Sequence, residues 1–389
     1  MPPAEENPLP AAYFDHGATS WPKPQPVVDA VAHALMHLGG NPGRGAYAMA
    51  LAASREILGA RRACASLLGI ADQRDLLFQS SCTAACNLML KGSLTVGDRI
   101  VVGSMEHNAV VRPLAHLARL GVEVVVVSAD PTGFVDPTDV EREVRAAPTR
   151  AVVCQHASNL TGTIQPVGDL ADIAHESGAW MFVDGAQGAG HLAVDISTLG
   201  PDAYAVSGHK GMLGPQGIGL LYLAPGLELD PQIEGGTGGA SGTEPEMPHE
   251  RPDRYEAGTA NTPGIAGLGA AARFLAEEGD RQRAAEAEMV RQVIEGVSAL
   301  PGFRVLGPPP GVSRVPIVSV VHDSIASDRI AYELDRTYGI AARAGLHCAP
   351  WAHETVGTLS RGAVRFGIGW GNTTDGVDSL LAALKAIIL

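Results

Sequence analysis

The chain is poor in lysine: Lys23, Lys91, Lys210 and Lys385 are the only four in 389 residues. With 28 Lys and Arg against 42 Asp and Glu, the formal net charge is −14, and no run rich in Lys or Arg occurs. That balance argues against nucleic acid or an anionic membrane as the main partner. It leaves room for an anionic cofactor, because helix N-termini and a few arginines can bind phosphate in an acidic protein. No apolar stretch approaches the ~18 residues of a membrane span. Residues 1–8 have neither the basic nor the apolar segment of a secretory signal. The five cysteines (Cys64, Cys82, Cys86, Cys154 and Cys348) are odd in number and form no C-x-x-C pair. The expectation is reduced thiols in a cytoplasmic protein, with no disulfide framework and no metal site. A Walker A loop, a G-x-G-x-x-G turn, internal repeats and low-complexity tracts are also missing.

What is present is an alternation of short apolar runs and amphipathic segments. The pattern predicts strands over 76–79, 99–103, 122–128, 151–155, 180–184, 203–207 and 218–223. It predicts helices over 27–38, 50–68, 83–90, 110–120, 136–146 and 167–177. Nearly all-apolar strands separated by helices indicate an α/β fold, with a mostly parallel seven-stranded sheet covered on both faces. Residues 234–262, rich in Gly, Pro and Glu, are expected to form a long functional loop. Beyond it, helices over 265–277 and 281–300 precede strands over 303–306, 315–321, 339–343 and 362–367 and helices over 326–338 and 374–388. The expected domains are a large one over 12–262 and a smaller α+β one over 263–389, with residues 1–30 packing near the latter.

The chemistry-bearing residues gather at predicted strand ends. Lys210 lies in Ser207-Gly208-His209-Lys210-Gly211, directly after a buried run. Burial there lowers an ammonium pKa and makes the amine a competent nucleophile. Asp184 closes an earlier strand in Val183-Asp184-Gly185-Ala186-Gln187. A strand-end Asp alone reads as a turn or cap residue, and a lone Lys as solvated. Together they match the two partners of pyridoxal phosphate, a Schiff-base lysine and an acid for the ring nitrogen. In Ser80-Ser81-Cys82-Thr83-Ala84 a tight turn opens a helix. Its free N–H groups and the Thr83 hydroxyl form an anion site or an ordinary N-cap. His107 and Asn159 also follow strands, where ligands of open α/β sheets bind. His107, one of 13 histidines, could stack on a flat ring and move protons, and Asn159 could donate to a ring oxygen or carboxylate. Finally Arg343-Ala344-Gly345-Leu346-His347-Cys348-Ala349-Pro350, with Arg365 beyond, places a cysteine in an exposed loop beside a histidine and arginines. These would favour its thiolate, whereas Cys64, Cys86 and Cys154 read as packed free thiols.

In this order, these segments resemble the cysteine desulfurase branch of the class V aminotransferase fold, a pyridoxal-phosphate family. Tyr13-Phe14-Asp15, Gly39-Gly40-Asn41-Pro42-Gly43-Arg44-Gly45, Glu106-His107-Asn108 and Glu256-Ala257-Gly258-Thr259 carry the likeness over nearly the whole chain. The resemblance implies that Lys210 binds the cofactor covalently, Asp184 pairs with the ring nitrogen, and His107 stacks on the ring. It implies that Gln187 and Asn159 face the phenolic oxygen. Cys82, Thr83, Ser207 and His209 would hold the phosphate, and Thr259 would reach the phosphate of a second subunit in a homodimer. Arg365, Arg343 and Arg44 would take the substrate carboxylate end, and Cys348 would accept sulfur from L-cysteine and pass it to an acceptor protein. A β-lyase, a selenocysteine lyase, an aminotransferase and an inactive cofactor-binding partner are the alternatives. The chain departs from its relatives at Ser81-Cys82-Thr83-Ala84, where a carboxylate is missing, and at His16-Gly17 and Ala260. These departures bear on the substrate rather than the cofactor.

Overall fold

The computed structural model describes residues 9–43, 45–237 and 245–389. Its centre is a seven-stranded sheet in the order Leu76–Gln79, Gly219–Leu223, Ala203–Ser207, Trp180–Asp184, Ala151–Gln155, Arg99–Gly103 and Glu123–Val127. Only Gly219–Leu223 runs against its neighbours. Side chains along each central strand alternate between two cores. Val101, Val152, Met181, Val183, Tyr204 and Val206 face one side, and Ile100, Val102, Val153, Phe182, Ala203 and Ala205 face the other. Helices cover both, which is why these strands carry no polar stripe. Cys64 and Cys154 pack in the first core and Cys86 in the second, as free buried thiols.

Register fixes the edge on which chemistry can occur. Gln155, Asp184 and Ala205 lie side by side across three strands. Ser207 aligns with Gly219, and Gly219 with Gln79. The loops that follow the parallel strands therefore open on one rim of the sheet.

Two sequence expectations change. The helices expected over 265–277 and 281–300 are one 37-residue helix, Thr262–Ser298. An interior glycine costs a helix only about 1 kcal/mol, and packing overrides it at Gly279. Ile265, Leu268, Ala271 and Leu275 join the core of the large sheet, and Met289, Val293 and Val297 join a separate one. Asn261 caps this helix through Oδ1, which accepts the Gly264 N–H at 3.1 Å. The strand expected over 339–343 splits in two. Ile340–Ala341 pairs with Ala12–Tyr13, and Arg343–Gly345 joins a four-stranded antiparallel sheet with Ala363–Gly367, Ile317–His322 and Phe303–Val305. Ile317–His322 starts two residues later than the pattern suggests, since Pro316 has no N–H for the ladder. Phe14 is buried in the core beneath this smaller sheet.

Candidate active site

A cavity of about 200 Å3 opens on the rim of the large sheet. Cys82, Thr83, His107, Asn159, Asp184 and Ser207 line it, as do His209, Lys210, Arg343 and Arg365. Residues up to 348 positions apart in sequence (Gly17 to Arg365) are thus brought to one place. Gln187 joins Asp184, Asn159, His107 and Lys210 around an adjoining recess.

The Lys210 amine makes no hydrogen bond among the described residues, and its pKa is lowered by burial, against the opposing pull of the Asp184 charge. That is the condition a nucleophilic amine requires. Asp184 is buried, and its Oδ1 accepts the Ala186 N–H at 3.0 Å and the Cys82 thiol at 3.4 Å. Both contacts fix the carboxylate plane. His107 caps the helix Asn108–Arg119, its Nδ1 accepting the Ala109 N–H at 3.0 Å. Its ring proton therefore sits on Nε2. Burial, then the Lys210 charge, pushes its pKa down to about 4, so the ring is neutral at pH 7. Ser81 caps the helix Cys82–Lys91 by accepting the Ala84 N–H at 3.1 Å, leaving Thr83 exposed at the cavity wall. The cap is thus formed by Ser81 and not by Thr83.

Arg365 is almost wholly buried. It donates to the Asn159 carbonyl at 3.1 Å and to Asp15 Oδ1 at 2.9 Å, while its Nε has no partner. Gly17 permits this placement, since a Cβ there would lie 3.0 Å from the guanidinium carbon. The residues fit a flat, anionic, polar cofactor. Asn159 Oδ1, Gln187 Oε1 and His209 Nδ1 are all buried without partners around these recesses. Such orphaned atoms cost free energy unless something meets them.

Cys348 sits in a tethered loop. His347 and Cys348 have φ of 48° and 56°, in the left-handed region that non-glycine residues rarely occupy. Asn159 Nδ2 donates to the His347 carbonyl at 2.7 Å, and the Asn108 N–H donates to the Cys348 carbonyl at 2.8 Å. His347 is buried, its Nε2 sits 3.1 Å from the Ala363 carbonyl, and burial drives its pKa down to about 2. The Cys348 thiol is exposed, with Arg343 Nη2 at 3.6 Å.

Several expectations are corrected by these contacts. His347 and Arg365 are bonded elsewhere, and only Arg343 reaches the thiol of Cys348. Asn159 and Gln187 spend their N–H donors on the carbonyls of His347 and Gly17, so each presents an acceptor instead. Thr259 lies on a separate cavity of about 650 Å3, which leaves its expected role toward a second subunit's phosphate unchanged. Arg44 falls outside the described residues. The sequence reading gave no role to Asp15, although its motif had been noted. Nor did it single out Lys23, which donates to the His209 carbonyl at 3.1 Å and steadies the loop before Lys210.

The family model for aminotransferase class-V matches residues 12–380. The chain belongs to the class-V aminotransferase family. It is 35% identical over 386 residues to a probable cysteine desulfurase of Methanothermobacter thermautotrophicus, covering 96% of this chain and 94% of that protein. It is 32% identical over 399 residues to a cysteine desulfurase of Escherichia coli, covering 98% and 95%. Among solved structures, the apo form of a cysteine desulfurase from Thermococcus onnurineus superposes with a TM-score of 0.90 at 30% identity, covering 97% of this chain and 94% of that one. The class-V fold therefore extends over both sheets, including the segment that carries Cys348.

Proposed function

We propose that this enzyme is a cysteine desulfurase that uses pyridoxal phosphate to convert L-cysteine to L-alanine, leaving the sulfur as a persulfide on Cys348. Relatives of that name over nearly the full chain support the reading. The observation that carries it is the Cys348 loop, held in an unfavourable conformation by Asn159 and Asn108 beside the Lys210–Asp184 cavity. A lyase has no need of a cysteine fixed in this way, which favours desulfuration over β-lyase or selenocysteine-lyase chemistry.

When bound, the cofactor supplies an electron sink for the substrate Cα. Its phosphate would meet the helix N-terminus at Cys82 and Thr83, with Ser207 and His209. Asp184, already oriented by Cys82 and Ala186, would hold the proton on the ring nitrogen. The neutral His107 ring would pack against the cofactor. Lys210, its amine favoured by burial, takes the Cα proton and returns it. Arg365 and Arg343 bind the substrate carboxylate. The Cys348 thiolate forms an S–S bond with the substrate sulfur. The C–S bond breaks with its electron pair on carbon, and that carbon takes a proton to become the methyl of alanine.

The active unit is proposed to be a homodimer. Leu35, Met36, Tyr47 and Met49, on the helices Gln25–His37 and Ala48–Leu67 and the turn between them, are large apolar side chains left exposed. Asn41, Pro42 and Gly43 from the same connection line the cavity that contains Thr259. A second copy covering this face would account for both. The test of function is quantitation of alanine and sulfide from L-cysteine, with and without a reductant. Alanine formed in the absence of free sulfide supports the persulfide route, and pyruvate in place of alanine contradicts it.

A further inference from the structure

Cys348 does not line the cavity that holds Lys210 and Asp184. It lines a second, outer cavity of about 340 Å3, with Thr83, Asn87, Lys91, His107, Asn108 and Arg112 among its walls. Thr83, His107 and Ala109 border both cavities. Cys348 thus lines the outer of two cavities that share three wall residues.

Two side-chain cations, Lys91 and Arg112, border the outer chamber. In this acidic chain Arg61, Arg99, Arg251 and Arg365 are each paired with a carboxylate. Among the described residues, the side chains of Lys91 and Arg112 make no hydrogen bond and no ion pair, and both border the chamber. Arg343, which lines the inner cavity, stands 3.6 Å from the thiol. Asn87 and Asn108 supply neutral polar groups on the same wall. Unpaired cations around an open recess attract an anion, and the chamber is of the size that holds small molecules, ~300–1,000 Å3.

We propose that this outer chamber is the acceptor site and takes a small thiol carrying a carboxylate. The inference rests on the desulfurase reading and adds the class of acceptor. The acceptor thiolate attacks the outer sulfur of the Cys348 persulfide. A new S–S bond forms on the acceptor, the old one breaks, and the electron pair returns to Cys348 as thiolate. No external oxidant or reductant is needed. Lys91 and Arg112 hold the carboxylate and so set the acceptor against neutral thiols.

Two measurements test this. The first needs neither cofactor nor turnover. Cys348 is alkylated with iodoacetate and with iodoacetamide at low salt, and its rate ratio, read by peptide mass spectrometry, is compared with that of free cysteine. Two exposed ion pairs at on the order of threefold each predict a preference for the anion about tenfold above free cysteine. It should be lost in a Lys91→Gln, Arg112→Gln double variant and weakened by added salt. The same ratio in wild type, double variant and free cysteine would overturn the site. The second measurement follows discharge of the persulfide by 3-mercaptopropionate and 2-mercaptoethanol at matched thiolate concentration. A preference for the anionic thiol that disappears in the double variant supports the acceptor role. Equal rates in wild type overturn it and leave a protein acceptor in its place. Failure of the desulfurase reading itself would show separately, as no alanine in the first turnover.

Discussion

Replacing Cys348 by alanine or by glycine separates chemistry from folding at one residue. The thiol is exposed and has one polar neighbour, Arg343 Nη2 at 3.6 Å. Removing it should therefore change stability by less than about 0.5 kcal/mol. The backbone is another matter. At φ 56° a side chain is held in the left-handed region, at a cost of about 1–2 kcal/mol. Glycine removes that cost and returns about 0.5–1 kcal/mol through the greater freedom of the unfolded chain. Cys348→Gly should thus be more stable than Cys348→Ala by about 0.5–1 kcal/mol. Both variants should lose alanine formation from cysteine by at least about 10³-fold, the scale on which loss of a nucleophile acts. Both should keep their cofactor, because Lys210, Asp184 and the phosphate turn are untouched. Denaturant unfolding of the three proteins and single-turnover alanine measurement provide the assay. An alanine variant that retains a tenth of the wild-type rate refutes the nucleophile. A glycine variant less stable than the alanine one refutes the strain.

Three further outcomes are expected. Lys210→Ala should abolish turnover and the cofactor's imine absorbance together; Lys23 binds the His209 carbonyl and cannot substitute. Glu256→Gln breaks a half-buried pair in which Arg61 donates to both carboxylate oxygens at 2.6 and 2.7 Å, so unfolding should be easier by about 1–3 kcal/mol. Because Glu256 also accepts the Phe78 N–H at 2.6 Å, the strand before the phosphate turn should loosen, with weaker cofactor retention on dialysis. Acid should destabilise the protein early. His107, His156, His209 and His353 are held down to about 4, His16 to about 3 and His347 to about 2, with burial the leading cause in each. These rings are neutral in the native state and protonate near ~6.5 when unfolded. The unfolded chain binds more protons between those values, so stability falls as pH falls through that window. Glu106, pushed up by burial, offsets one of them. Unfolding midpoints in a pH series should therefore drop as the pH is lowered below ~6.5.

The sheet and its rim were legible because parallel strands buried on both faces leave an unmistakable apolar signature. Their C-terminal ends must share an edge, and the sequence pattern alone therefore groups Thr83, His107, Asn159, Asp184 and Lys210. What was not legible depends on contacts between distant parts of the chain. Asp15 and Arg365 are 350 positions apart, and no local pattern announces their ion pair. The donors of Asn159 and Gln187 are taken by carbonyls brought in by tertiary packing. The left-handed turn at His347 and Cys348 has no glycine to signal it; its hydrogen bonds to Asn159 and Asn108 impose the geometry. The join at Gly279 misled for the opposite reason. Local propensity suggested a break, and burial on both sides kept the helix whole.

The central claim is that sulfur leaves cysteine by transfer to Cys348. The most direct measurement is mass spectrometry of the Cys348 peptide after one turnover with L-cysteine and no acceptor, alongside the alanine released. The account predicts one added sulfur atom on Cys348 for each alanine formed. Alanine or pyruvate formed with an unmodified Cys348, and the sulfur recovered as free sulfide, would contradict it.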